Sequence, residues 1–257
     1  MLTALTRAVS RSLGKCELTW RARQEIDIAR AAAQHHQYED SLRELGVRVI
    51  SLPEEPDLPD AVFVEDPLIV MDEVAIIARM GCESRRPESH SLAEAISPFR
   101  PAQWIRDPAT IEGGDVMRID RDVFVGLSTR TNHAGVSQMA EILAPFGYRI
   151  RPVHVRGCLH LKSACCPLGD GRILARRAWL DETAFRDYRL IDVDPAEPEA
   201  ANVLRIGDTV LLSSAFPRTR DLVQSEALNV KTIDISELMK AEAAITCSSV
   251  LFEDRPS

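Results

Sequence analysis

The chain has 257 residues, 45% of them hydrophobic, which is enough to bury a full core without help from disulfides or metals. Its formal net charge of −8 excludes the basic stripe that a nucleic-acid surface needs, while an acidic pocket for a small cation stays open. No apolar run approaches bilayer-spanning length, so the expectation is a soluble protein with no membrane partner.

The acid-free opening MLTALTRAVSRSL superficially suits an organelle transit peptide, but Thr3 to Val9 also reads as a first strand, the favoured reading. A loop follows from Gly14 to Arg23. Ile28, Ala31, Ala32, His35, Tyr38, Leu42 and Leu45 then recur at helical spacing until Gly46 stops the helix, and Val47 to Leu52 reads as a strand. The prolines of PEEPDLPD forbid regular structure. VFVEDPLIVMDEVAIIAR gives two or three short strands, with turns at Asp66, Pro67 and Asp72. After the loop GCESRRPES come a short helix at Leu92 to Ile96 and a strand at Gln103 to Ile105. EGGDVMRIDRDVFVGLS reads as a hairpin turning at Asp120 to Asp122. TNHAGVSQMAEILAPFG is a helix capped by Asn132 or Thr131 and ended by Pro145 and Gly147, and Tyr148 to Val155 returns as a strand.

The pattern then recurs. His160 to Ala164 and Arg172 to Ala175 read as a hairpin, followed by a short helix near Asp181 to Phe185 and a strand at Arg189 to Val193. Val203 to Ile206 and Thr209 to Ser213 form another hairpin, with a helix at Leu222 to Leu228 and a strand at Val230 to Ile233. The last hairpin-like run is Ala244 to Glu253. A strand, strand, helix, strand unit thus appears about five times at a period of roughly 50 residues, the mark of a repeat architecture. Units of this kind turn strand edges toward a common axis, as propeller blades do. The whole chain, 1–257, is expected to form a single domain.

Two segments carry the chemistry. GCLHLKSACC places His160 in an alternating strand pattern, with Leu159 and Leu161 on one face and His160 and Lys162 on the other. ITCSSVLF sets Cys247 between small residues. A distant thiol and imidazole are what a cysteine-nucleophile hydrolase supplies, although each residue alone reads more readily as a buried structural group. The six cysteines, Cys16, Cys82, Cys158, Cys165, Cys166 and Cys247, form no CxxC pair and read as reduced thiols of a cytoplasmic protein. Cys165 and Cys166, on a strand, point to opposite faces.

LPDAVFVED, SRR, EGGDV, FVGLSTRTN, GCLHLKSAC and ITCSSVLF occur in the order found in the dimethylarginine dimethylaminohydrolases, which the chain resembles over nearly its whole length. That family belongs to the guanidino-group-modifying pentein superfamily, so the resemblance implies a five-bladed α/β propeller of pseudo-fivefold ββαβ repeats around a central channel. It implies Cys247 as nucleophile on the guanidinium carbon, His160 as general acid and base, and Glu112 as the carboxylate orienting His160. Asp60, Glu65 and Asp66 correspond to the acids lining the pocket, with Asp66 holding the guanidinium and Asp60 meeting the α-amino group. Arg85 and Arg130 fall where the family binds the substrate carboxylate. Leu18, in a mobile lid, and Ala241 offer backbone carbonyls, and Phe63 walls the pocket. The implied reaction converts asymmetric dimethylarginine or monomethylarginine to citrulline and an amine, through a covalent thiouronium on Cys247. It requires neither metal nor organic cofactor. The implied partner is this small cationic amino acid, with a homodimer compatible.

Three alternatives stay open: a deiminase acting on arginine or another guanidine, a non-catalytic propeller, and a zinc or redox sensor using Cys158, Cys165, Cys166 and Cys247. The second cysteine and the proline in SACCPLG depart from the familiar pattern beside His160.

Overall fold

The computed structural model describes residues 1–254. Its strands are β1 (Leu2–Arg7), β2 (Arg48–Leu52), β3 (Leu68–Val70), β4 (Ala75–Ile77), β5 (Ala102–Trp104), β6 (Val116–Ile119), β7 (Asp122–Leu127), β8 (Arg149–His154), β9 (Cys165–Gly169), β10 (Arg172–Ala175), β11 (Arg189–Asp192), β12 (Leu204–Ile206), β13 (Thr209–Ser213), β14 (Asn229–Ile233) and β15 (Val250–Glu253). The helices are α1 (Ile28–Glu44), α2 (Glu88–Ile96), α3 (His133–Leu143), α4 (Leu161–Ala164), α5 (Pro217–Ser225) and α6 (Ser236–Met239).

These strands form five sheets of three, each with the same plan. An outer strand runs antiparallel to the middle one, and the middle one runs parallel to the third. A parallel pair needs a crossover, and α1, α2, α3 and α5 supply it in four blades. In the fourth, 3₁₀ turns at Arg177–Trp179 and Glu182–Phe185 replace the helix. The first blade is completed by the chain's far end, because β15 pairs with β1.

Strand alternation builds the ring. On β13, Val210 and Leu212 face the core shared with the fourth blade, whereas Leu211 faces the core shared with the first. The same rule sends Cys166 and Cys165 of β9 into different cores, as their strand positions predict. Five hydrophobic cores result, each wedged between neighbouring blades, and the one between the fifth and first closes the circle. The architecture is thus the five-bladed α/β propeller expected from the repeat.

Local sequence explains most element ends. The Asp27 side chain caps α1 through the Arg30 N–H at 3.0 Å, Ala31, His35, Tyr38 and Leu42 bury its inner stripe, and Gly46 ends it at φ 81°. Asn132, one of the two proposed caps, accepts from the Gly135 N–H at 2.8 Å to start α3.

Three expectations need correction. His160 to Ala164 is not a strand: His160 is extended, Leu161–Ala164 is a single helical turn, and β9 starts at Cys165. The Asp115 carboxylate accepts the Leu161 N–H at 2.9 Å and turns the chain there. Cys247 likewise lies on a 3₁₀ turn, Thr246–Ser248, before β15 rather than within a hairpin. The helix expected at Leu222 to Leu228 runs instead from Pro217, whose fixed φ suits a first turn, to Ser225.

Candidate active site

The loop ahead of β6 carries Glu112. Its backbone passes so close to its neighbours that a Cβ at Gly113 would lie 1.9 Å from the Glu65 carbonyl oxygen, and one at Gly114 would lie 2.5 Å from His160 Nδ1. Paired glycines are therefore a steric requirement of the site. Glu112, fully buried, accepts from the Gly81 N–H at 3.0 Å and lies 3.5 Å from the Arg130 guanidinium. Its other oxygen lies 2.8 Å from His160 Nε2.

His160 is 4% exposed and faces a second acid, with Nδ1 3.8 Å from Asp66 Oδ1. Burial alone opposes protonation, but Asp66, Asp115 and Glu112 outweigh it and raise the imidazole to about 9. The same pairing overcomes burial to draw Glu112 below the usual carboxylate range. His160 and Glu112 are therefore an imidazolium and a carboxylate at neutral pH.

Asp66 holds Arg85 with Oδ2 at 2.9 Å, and its buried Oδ1 has no hydrogen-bond partner among the described residues. An unpaired buried acceptor is costly, so this oxygen is suited to a ligand's N–H. Arg85 is itself buried and bonds Glu88 at 2.9 and 3.0 Å. Burial of Glu88, only partly offset by Arg85, moves its carboxyl up to about 7.

Glu65, next in sequence to Asp66, joins this centre to the thiol. Its N–H donates to the Cys247 carbonyl at 3.3 Å, and its side chain bonds Lys162 at 2.5 Å and Thr246 at 2.6 Å. Asn202 then staples the His160 turn to the Cys247 turn, donating to the Lys162 carbonyl and to Thr246 Oγ1 and accepting the Thr246 N–H, each at 3.0 Å. Burial, then the charges of Glu65 and Asp66, push the Cys247 thiol far above its ordinary value, so it is protonated here.

The remaining expected residues surround this centre. Asp60 accepts the Glu17 N–H at 3.0 Å, and Arg130 donates to Thr19 Oγ1 at 2.9 Å, so both touch the loop over the site. Phe63 and Ala241 are buried in the core between the first and fifth blades, against which Leu18 and Cys247 also pack. Asp115, Lys162, Asn202, Thr246 and Glu242 were not singled out by the sequence. The contacts that join them to the His160 turn, the Cys247 turn or the lid reach 40 or more residues along the chain, with only the GGD and TCS contexts hinting at the first and fourth.

Asp66, Glu112 and His160 offer three ligand atoms within 4.8 Å of one another, the single such cluster among the described residues. The four thiols of the zinc-sensor alternative do not meet. Cys158 and Cys165 share one core, Cys166 lies in a second, and Cys247 packs against a third. No described helix is long and apolar enough to cross a membrane.

Comparison with known proteins bears on the family and the fold. A family model described as N,N dimethylarginine dimethylhydrolase, eukaryotic, matches residues 12–165. An N(G),N(G)-dimethylarginine dimethylaminohydrolase of Streptomyces coelicolor is 35% identical over 96% of this chain and 95% of its own. One from Pseudomonas aeruginosa is 34% identical over 88% and 90%. The solved structure of a P. aeruginosa cysteine-to-serine variant complexed with citrulline superposes with a TM-score of 0.93 at 32% identity, covering 97% of this chain and 98% of that one. The N-terminal domain of ArgZ, a cyanobacterial arginine dihydrolase, shares the fold at a TM-score of 0.87 and 17% identity, with 97% of each chain covered. The five-bladed fold, the buried imidazolium–carboxylate pair and these likenesses lead to one conclusion: the chain belongs to the dimethylarginine dimethylaminohydrolases, cysteine-dependent amidinohydrolases.

Proposed function

We propose that the protein hydrolyses asymmetric dimethylarginine and monomethylarginine to citrulline, releasing dimethylamine or methylamine. The observation that carries this reading is the buried Asp66 Oδ1, which makes no hydrogen bond among the described residues and faces His160, in a site where Glu65 reaches the Cys247 turn. A guanidinium is a flat cation with N–H groups on its edges, and such an oxygen is its complement.

The chemistry follows from the charges. The guanidinium enters beside a protonated thiol and favours its thiolate; the proton leaves to solvent, because His160 already carries one. Sulfur attacks the central guanidinium carbon and forms a C–S bond. His160 then gives its proton to the departing amine nitrogen as the C–N bond breaks, leaving a thiouronium on Cys247. Now neutral, His160 takes a proton from water, whose oxygen attacks the same carbon. Collapse expels the thiolate, the hydroxyl proton is released to solvent to leave neutral citrulline, and the thiolate regains a proton from solvent, so the balance is dimethylarginine plus water to citrulline plus dimethylamine. Glu112 steadies the imidazolium throughout. Asp60 would take the substrate's α-amino group and Arg85 and Arg130 its carboxylate, with the Leu18 and Ala241 carbonyls assisting and Phe63 forming part of the apolar wall.

The neighbouring structures support this reading without deciding it. One relative binds citrulline, and a dimethylarginine dimethylaminohydrolase with a histidine replaced by glycine forms an adduct with S-methyl-L-thiocitrulline. Incubation with asymmetric dimethylarginine, with citrulline and dimethylamine assayed together, tests it. Both products are expected in equal amounts, and Cys247→Ser is expected to lower the rate by about a thousandfold or more. Citrulline from arginine but none from dimethylarginine would replace the reading with a deiminase.

A further inference from the structure

The segment Glu17–Arg21 crosses the site and is tied down from several sides. Ser84 donates to the Glu17 carboxylate at 2.5 Å, Asp60 accepts the Glu17 N–H, Arg130 reaches Thr19, and Arg21 pairs with Glu199. The densest tie comes from Glu242. Its carboxylate accepts three consecutive backbone N–H groups, Thr19 at 2.9 Å, Trp20 at 2.5 Å and Arg21 at 2.6 Å. Successive amides wrapped around one carboxylate make an anion nest.

Two further facts separate Glu242 from the other ties. First, it follows α6 at φ 60°, where the Ala243 N–H returns to the Leu238 carbonyl at 3.3 Å. Glycine ordinarily takes that left-handed position, and a glutamate there is strained, so its side chain must contribute something glycine cannot. Second, Asp60 and Arg130 are the groups expected to bind the substrate's amino and carboxylate ends. On binding they must exchange their lid contacts for substrate contacts, whereas Glu242 has no such second duty.

We propose that Glu242 is a positioning residue for the lid. Its carboxylate latches residues 19–21 to the segment that leads into Cys247, and so holds Leu18 over the bound amino acid after Asp60 and Arg130 have turned to the substrate. The role of Leu18 rests on the function proposed above, but the latch itself does not.

The test uses Glu242→Gly, which relieves the strained backbone while removing the carboxylate, and Glu242→Gln, which keeps the side chain's shape. The Gly variant is expected to melt no lower than the parent. Tryptic cleavage after Arg21 and Arg23 in the substrate-free protein should nevertheless accelerate by about tenfold or more. KM for asymmetric dimethylarginine should rise by about tenfold or more with kcat within about threefold. Glu242→Gln should fall between the two in both readouts, and it carries the test should the Gly variant fail to fold. Unchanged cleavage would overturn the latch whether or not the protein hydrolyses dimethylarginine. Faster cleavage with an unchanged KM would overturn its positioning role, as would a drop in melting temperature that accounts for both effects.

Discussion

At the scale of single residues, the site depends on how burial and charge divide the protons. His160 keeps its proton well above its ordinary range because three acids surround it, whereas Cys247 keeps its proton because burial and two of the same kind of group disfavour a thiolate. The resting site thus holds a protonated imidazole and a protonated thiol, the acid and the nucleophile of the reaction proposed above. His160 and Cys247 were legible as candidates from residue type, yet Asp115 was not, because the backbone N–H it captures lies 46 residues away. Glu112→Gln tests the proton assignment. Losing the carboxylate charge lowers the His160 pKa, and the protonated form is the general acid of the proposed reaction. The alkaline limb of the kcat profile should therefore move to lower pH, with kcat at its optimum falling by about a hundred- to ten-thousandfold. The linkage has the same sign for stability. The raised imidazole contributes fully below its ordinary 6.5, and that contribution is lost as pH climbs through about 9.

At the scale of elements, hairpins and helix ends were readable because their causes are local. The Asp120 turn at φ 54°, the Gly169–Asp170–Gly171 turn and the Asn132 cap each rest on residues within a few positions. The turns bearing His160 and Cys247 were misread as strands for the opposite reason. Leu159 and Leu161 alternate as in a strand and Cys247 heads an apolar run, but Asp115 and Asn202, from other blades, claim the backbone groups that a ladder would have used. The Asn202 amide makes every one of its bonds to these two turns. Asn202→Ala should leave buried partners unpaired and cost about 1 to 3 kcal/mol in denaturant unfolding, with kcat falling more steeply than stability. An unchanged kcat would show that the two turns hold their places without it.

At the scale of the whole molecule, the fivefold repeat was legible because each blade repeats one pattern of burial, while ring closure was not, since it joins the two ends of the chain. Asp254 donates its N–H to the Met1 carbonyl at 2.8 Å, and β15 completes the sheet that β1 begins. Phe252 anchors this seam, 6% exposed and 5.1 Å from the Phe99 ring. Phe252→Ala is expected to cost about 3 to 5 kcal/mol in equilibrium unfolding. A loss under about 1 kcal/mol would mean the seam is not a main support of the ring.

The ring exists, on this account, to press a protonated thiol against an acid-lined space that only a flat cation completes. The most direct test is the pKa of Cys247, followed by thiolate ultraviolet absorbance in the presence and absence of an unreactive cationic arginine analogue, with Cys247→Ser as the blank. The expected result is a fall of about 1 to 3 in that pKa when the analogue binds. Saturating analogue that leaves the pKa where it was would contradict the account.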